Sequence, residues 1–370
     1  MALIHDYLNQ YGGAERTLEE IMDLFPDAPI YTGIYIPEKV PPKIRQRKIY
    51  SAKAGPFSGL SKYFTFLMPF VFERFDLSEY DLIISDGTAW PKGVLTKPDQ
   101  LHIAYIHTPP RFLYGYTVES TKRNAWYFKP FVAVIDLYLK TWDYAAAQRP
   151  DIMLANSKEI KKRIQKFYKR DVQVIYPPVE VNHPVKSTAK FEHDGPYYLA
   201  LGRLSAFKNF DVLIKAFENL DLKLVIVGTG IEEKRLKKMA GAANGKVTLT
   251  GNIGDDEKHA AIAGCRGLIN AVADEDFGIV PVEVMGHGKP TLAHKSSGHL
   301  ETVTEGVSGM FFESLDPQKL AERIKEFDTA ITKGKFDAKK IKQTAQKFSR
   351  ERFKKEFKET VDREWKKFNA

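Results

Sequence analysis

Two doubly wound α/β domains are predicted by three observations. Short apolar runs that read as buried strands alternate with helical patterns, which indicates parallel sheets covered on both faces. The chain has 370 residues, more than one hydrophobic core usually organises. The alternation breaks near Tyr176-Pro177-Pro178, where two prolines fix an extended segment.

In the first half, Ala2–Ile4 reads as a strand followed by His5-Asp6, a Gly12-Gly13 turn and a helix from Ala14 to Leu24. Further strands are expected at Leu82–Ser85, Ile103–His107 and Ile152–Ser157, each ending in a polar residue. The second half offers strands at Tyr197–Leu201, Lys223–Val227, Val247–Leu249, Gly267–Asn270 and Thr291–Ala293. Helices are expected at Phe210–Asn219, Glu232–Ala240, Asp255–Ala263, Val280–Gly286 and Leu300–Thr304. The expected domains are 1–178 and 179–347, and an amphipathic helix pattern fills 348–370. Two facing domains would leave a cleft, a common place for ligands.

Bulk composition narrows the function classes. Apolar content is 43% and the formal charge +9, which favours anionic partners. Acidic residues interleave with the basic ones in segments such as 350–358, so a solvated helix face accounts for much of the excess. There is no recognised nucleic-acid motif and no concentrated basic stripe, so nucleic acid is not the expected partner. The single cysteine, Cys265, excludes an internal disulfide framework and a cysteine-based zinc site. No run of about 18 apolar residues offers a spanning helix. The first residues do not pattern as a signal peptide. A cytoplasmic location, peripheral on the inner face of the plasma membrane if the chain meets lipid, is expected.

The chemistry concentrates in the second half. Glu275-Asp276-Phe277-Gly278-Ile279-Val280-Pro281-Val282-Glu283 places two glutamates with seven residues between them. Pro fits the first helical position, so Glu275 is expected in a loop and Glu283 in the first turn of the helix. Both would lie near strand ends, where open α/β sheets bind ligands, and carboxylates accept hydrogen bonds from sugar hydroxyls. A plain alternative for Glu283 is favourable interaction with the helix dipole. Arg203 and Lys208 flank a strand-to-helix loop and could converge on a diphosphate. Gly202 precedes Arg203, and Gly228-Thr229-Gly230 ends the next strand, which would let a ligand approach the backbone or simply make a tight turn. Ser297-Gly298 and Gly12-Gly13 precede helices, whose initial N–H groups can bind anions. His5, Asp6 and His107 admit a reading as hydrogen-bonded structure as well as one at a cleft floor.

Together these residues resemble the family 4 glycosyltransferases of GT-B fold. His5-Asp6-Tyr7, Tyr11-Gly12-Gly13-Ala14-Glu15-Arg16, Tyr105-Ile106-His107-Thr108-Pro109 and Ile175-Tyr176-Pro177-Pro178-Val179 resemble the WbaZ-like branch of bacterial O-antigen mannosyltransferases. The resemblance spans about residues 2–315. It implies retaining transfer of a hexose from a nucleotide sugar, with GDP-mannose the first choice, to a hydroxyl, with no metal and no cofactor. By position Arg203 and Lys208 would hold the donor diphosphate, Glu275 the sugar hydroxyls and Glu283 the ribose. His107 would contact the sugar, and Gly13 would admit the backbone to the diphosphate and sugar. Gly12, Gly202, Gly230, Phe277, Gly278, Ile279, Val280, Ser297 and Gly298 would complete the donor pocket. The acceptor implied is a glycan or a polyprenyl-diphosphate-linked saccharide in surface-polysaccharide assembly, bound on the side of the first domain. The last helix would cross back onto that domain. The chain departs from the family pattern at Thr229, Ile231, 270–273 and His299.

Residues 51–75 mix Lys53, Lys62 and Arg74 with seven aromatic residues, Phe57 to Phe75. An interfacial segment on an anionic membrane and a buried helix are both consistent with that pattern. The alternatives to a GDP-mannose enzyme are a glycosyltransferase using a UDP-sugar and a sugar-nucleotide-binding protein without turnover.

Overall fold

The computed structural model describes residues 1–52, 65–116, 129–184 and 190–370. They divide into two compact units, each with its own core. The first holds Met1–Tyr116, the described part of 129–178, and Arg350–Ala370; the second holds Val179–Ser349.

The first unit contains β1 (Ala2–Leu8), α1 (Gly13–Leu24), β2 (Ile30–Tyr35), α2 (Pro42–Arg45), β3 (Ile49–Ser51), α3 (Met68–Glu73), β4 (Leu82–Gly87), β5 (Leu101–Ile106), α4 (Lys129–Ala146), β6 (Ile152–Ala155), α5 (Lys158–Tyr168) and β7 (Gln173–Val174). The strands form a seven-stranded parallel sheet in the order β3-β2-β1-β4-β5-β6-β7. Every residue of β5 is buried, as expected of a strand covered on both faces. The order reverses between β1 and β4, so the loops after these two strands flank the switch point, the usual ligand edge of such sheets.

The second unit contains β8 (Tyr197–Leu201), α6 (Phe210–Glu218), β9 (Lys223–Val227), α7 (Glu233–Ala242), β10 (Val247–Gly251), α8 (Asp255–Gly264), β11 (Leu268–Asn270), α9 (Ile279–Gly286), β12 (Thr291–His294), α10 (His299–Thr302), β13 (Gly309–Phe312), α11 (Pro317–Thr332) and α12 (Ala338–Gln346). Its six-stranded parallel sheet has the order β10-β9-β8-β11-β12-β13, with the switch point between β8 and β11. The sequence reading assigns no element between Thr304 and residue 348, yet β13, α11 and α12 lie there. β13 is four residues long and opens on Gly309, where any side chain would strike the Thr291 backbone. The two helices instead carry explicit caps. Asp316 accepts from the Gln318 and Lys319 N–H groups, and Asp337 from that of Lys339.

α13 (Arg350–Phe368) packs in the first unit. Its Phe353, Phe357 and Val361 share a core cluster with Leu3, Ile30, Ile103 and Tyr105, and Tyr105 meets Phe353 and Phe357 edge-on at 5.8 and 6.1 Å. Arg352 donates to the Tyr176 carbonyl at 2.7 Å, and Lys354 pairs with Glu20 and Asp23, both at 2.8 Å. The burial, rather than these half-exposed pairs, holds the helix.

Two carboxylates, the half-buried Asp6 and the fully buried Asp86, organise the switch point of the first sheet. His5 and Asp6 lie within β1 rather than after it, and they do not bond to each other in the way a shared surface hydrogen bond would require. Asp6 accepts from the N–H groups of Thr88, Ala89 and Trp90 at 2.5, 3.2 and 2.9 Å. His5 is the register partner of Asp86 on β4, and its Nδ1 lies 2.9 Å from Asp86 Oδ2. Burial alone would lower the His5 pKa, but the Asp86 hydrogen bond and the surrounding carboxylate charge overcome it and raise it to about 9. Burial would likewise raise Asp86, and the charge and hydrogen bond of His107 and then His5 bring it below the usual range.

Of the aromatic segment, Phe72 is in the core, whereas Leu67 and Phe70 are exposed. Lys53, Phe57, Lys62, Tyr63 and Phe64 lie outside the described residues.

Two outcomes are expected. Phe353→Ala should destabilise the protein by about 3–5 kcal/mol, the usual loss for a buried phenylalanine, read as a lower midpoint in denaturant. An unchanged midpoint would contradict the packing of α13. His5 has a raised pKa in the folded state. Its contribution is therefore fully present below the ordinary histidine value and is lost as pH rises through about 9. The wild type should lose more stability than His5→Gln on going from neutral pH to about 10, and parallel profiles would count against the buried pair.

Candidate active site

The site in the second unit is assembled from the loops that follow β8 and β11. Lys208 closes a 3-10 turn, Ala206–Lys208, after β8, and Glu275 lies on the loop after β11. Lys208 Nζ donates to Glu275 Oε2 at 2.9 Å, with both side chains mostly buried. The two residues, expected from the sequence to serve a diphosphate and sugar hydroxyls separately, form a direct ion pair. Asn209 holds the same two loops together from below: in the left-handed conformation, φ 54°, it starts α6 and donates from Nδ2 to the Ala271 carbonyl at 2.7 Å.

The glycines of this region admit protein backbone rather than an evident ligand. Gly202 and Gly228 have φ values of 147° and 145°, which disfavour side chains. A side chain at Gly228 would collide with the Gly202 carbonyl, and one at Gly230 with the Leu204 carbonyl. The Leu204 N–H donates to the Thr229 carbonyl at 2.8 Å, and that of Glu232 to the Leu204 carbonyl at 3.0 Å. The Gly-Thr-Gly turn thus clamps the loop that carries Arg203, whose side chain is exposed.

The helix after Glu275 differs from expectation in its register. α9 starts at Ile279 behind Gly278, which has φ 98°. Pro281 is its third residue, not its first, and Glu283 falls in the second turn. Glu283 is 4% exposed and faces Lys258 Nζ at 3.4 Å, so it is held by a cation from α8 and not mainly by the helix dipole. Ile279 and Val280 form the start of α9, and Phe277 is buried against Phe348 at 5.2 Å.

Ser297-Gly298 does not form the expected anion site. α10 has only four residues. The Gly298 N–H donates to the Glu275 carbonyl at 2.8 Å, and the His299 N–H to the Ser296 carbonyl at 3.2 Å. Ser296 Oγ donates to the Ala273 carbonyl, and a side chain at Gly298 would strike the Phe277 backbone. Residues 294–299 therefore brace the Glu275 loop from behind. His299 is fully buried there. Its Nδ1 donates to the His294 carbonyl at 3.0 Å, and burial lowers its pKa to about 4.

In the first unit, His107 follows β5. Its Nε2 donates to Asp86 Oδ1 at 2.8 Å, which leaves Nδ1 as the acceptor nitrogen. Asp86 thus fixes both His5 and His107. Gly12 and Gly13 begin α1, but the Gly12 N–H is taken by Glu15 Oε2 at 2.7 Å, a local cap rather than an open donor. The sequence reading missed Asp86, Lys258 and Asn209. Asp86 was legible in principle, as a carboxylate directly after the apolar run of β4; Lys258 sits in an ordinary charged helix and carried no signal.

Known proteins place this arrangement. Residues 11–183 match the model described as Glycosyltransferase Family 4, and residues 185–347 that described as Glycosyl transferases group 1. An uncharacterized glycosyltransferase of Methanocaldococcus jannaschii is 29% identical over 182 residues, 49% of this chain and 50% of that protein. Alpha-1,3/1,6-mannosyltransferase ALG2 of Homo sapiens is 25% identical over 286 residues, 67% of this chain and 65% of that protein. O-antigen chain mannosyltransferase C of Escherichia coli is 25% identical over 240 residues, 62% of each. The chain spans between half and two thirds of the length of these curated relatives. Among solved structures, sucrose-phosphate synthase of Thermosynechococcus elongatus superposes with TM-score 0.73 at 16% identity, over 99% of both chains. Anabaena HepE in complex with UDP and glucose superposes with TM-score 0.69 at 20% identity, over 98% of this chain and 99% of that one. With both family models matched in order and the fold shared throughout, the chain belongs to the glycosyltransferases of GT-B architecture.

Proposed function

We propose that the protein is a retaining hexosyltransferase that moves mannose from GDP-mannose to a hydroxyl of a glycan or lipid-linked saccharide in surface-polysaccharide assembly. The observation that carries the reading is the Lys208–Glu275 ion pair at the switch point of the second sheet. A cation and a carboxylate at one strand edge suit a ligand with a diphosphate at one end and sugar hydroxyls at the other. The donor diphosphate would draw Lys208 from Glu275, and Glu275 would then accept from the sugar hydroxyls. Arg203 on the same loop would share the diphosphate. Glu283 would receive the ribose hydroxyls in exchange for Lys258. His107, its tautomer set by Asp86, offers Nδ1 as an acceptor for a sugar hydroxyl.

The bond from the sugar's anomeric carbon to phosphate oxygen breaks as the acceptor oxygen bonds to that carbon from the same face. The acceptor's proton passes to the departing phosphate. Arg203 and Lys208 stabilise the charge that builds on the leaving group. No side-chain nucleophile is required, nor a metal or cofactor. Mannose is supported by the resemblance to the WbaZ-like branch and by the mannosyltransferases among the relatives. A peripheral place on an anionic membrane from the cytoplasmic side fits a lipid-linked acceptor; among the described residues no helix is long and apolar enough to cross a membrane.

The test is nucleotide release from a panel of GDP- and UDP-sugars in EDTA, with a saccharide acceptor. GDP release from GDP-mannose is expected, with Arg203→Ala and Lys208→Ala lowering kcat by about 100- to 1000-fold each. Release of UDP instead would keep the transferase and remove mannose. Nucleotide binding without release from any donor would reduce the protein to a sugar-nucleotide binder.

A further inference from the structure

We propose a structural metal site in the second unit, in which His183, Asp255 and His259 bind one divalent transition-metal ion of the zinc class. None of these residues belongs to the donor set described above. Asp255 and His259 stand four residues apart on α8, so they share one face of the helix. His183 comes from the extended stretch 179–184. One ligand atom from each of the three lies within 4.8 Å of the others.

The hydrogen bonds around the cluster are those of metal-ligating histidines, which usually engage their second ring nitrogen with a partner. His183 Nδ1 donates to the Pro184 carbonyl at 2.9 Å. His259 Nδ1 lies 2.9 Å from His287 Nε2, at the end of α9. Each bond engages Nδ1 and leaves Nε2 for an ion. Two imidazoles, a carboxylate and a water make the four-coordinate N/O set that zinc accepts.

Loading requires a small rearrangement. The His183 ring is stacked on that of His259 at 3.6 Å and 9°. Ligand atoms around tetrahedral zinc stand about 3.4 Å apart, so the partly exposed His183 ring must turn out of the stack and close onto the ion. The ion also takes Asp255 from Lys258, now 3.0 Å away; with no donor bound, Lys258 keeps Glu283 as a partner. The bound ion would tie the 179–184 segment to α8.

The experiment is titration of untagged, EDTA-treated protein with Co2+, read by its visible absorption, and with Zn2+, read by Tm. Wild type should bind one Co2+ with the intense bands of a tetrahedral site, and Zn2+ should raise its Tm. His183→Ala and His259→Ala should lose both signals. His287→Ala should weaken binding about 10- to 100-fold through the lost hydrogen bond. His183→Ala guards the test against misfolding, because His183 is less buried than His259. Absence of the bands in wild type, or their persistence in folded His183→Ala, would overturn the site. Its ion is separate from transfer chemistry, so EDTA should lower Tm without abolishing turnover.

Discussion

The Lys208–Glu275 ion pair bridges the loops on either side of the second sheet's switch point, and much of that unit is arranged to keep it there. Neither loop could hold its residue alone. The Lys208 loop is clamped by Gly228 and Gly230, where any side chain would meet backbone. The Glu275 loop is braced by Ser296, Gly298 and the buried His299, and Asn209 ties the two loops to each other. A mostly buried charge pair is weak evidence for stability, because desolvation offsets its attraction. On the proposed function, the pair stands ready for a ligand that exchanges one partner of each ion.

The first unit meets the same constraint with different chemistry. Parallel strands deliver their loops to one edge, and at the switch point the backbone donors after β4 need acceptors. Asp6 supplies one carboxylate for three of them. Asp86 binds a histidine on each side. Replacing Asp86 would leave the buried His5 without its partner, a loss of about 1–3 kcal/mol for an unpaired buried group. The same framework orients His107, so positioning and stability are not separable at this edge.

The fold was largely legible because parallel strands buried on both faces leave a plain signature, the uninterrupted apolar run. Tyr197–Leu201 and Lys223–Val227 coincide with β8 and β9. The region after Thr304 went unread: β13 is short and begins with glycine, whereas α11 carries an apolar stripe, Leu320, Ile324, Phe327 and Ile331, behind its Asp316 cap that was legible in principle. At the site, the sequence singled out Arg203, Lys208, Glu275 and Glu283 by their spacing. It could not show which of them pair, because Lys208 and Glu275 are brought together by sheet order and not by sequence proximity. Lys258 was invisible for the same reason. The glycines at 228 and 230 are places where one loop's backbone meets another's, a contact that only the three-dimensional packing reveals.

The central claim is that the switch point of the second sheet binds the donor through Lys208. Calorimetric titration of GDP, GDP-mannose and UDP into wild type and Lys208→Met tests it most directly. The account predicts binding of GDP and GDP-mannose to the wild type, weakened by about 10-fold or more in the variant, since each charge-assisted hydrogen bond to phosphate is worth about 1.5–3 kcal/mol. Equal affinity in the two proteins, or no nucleotide binding in the wild type, would contradict it.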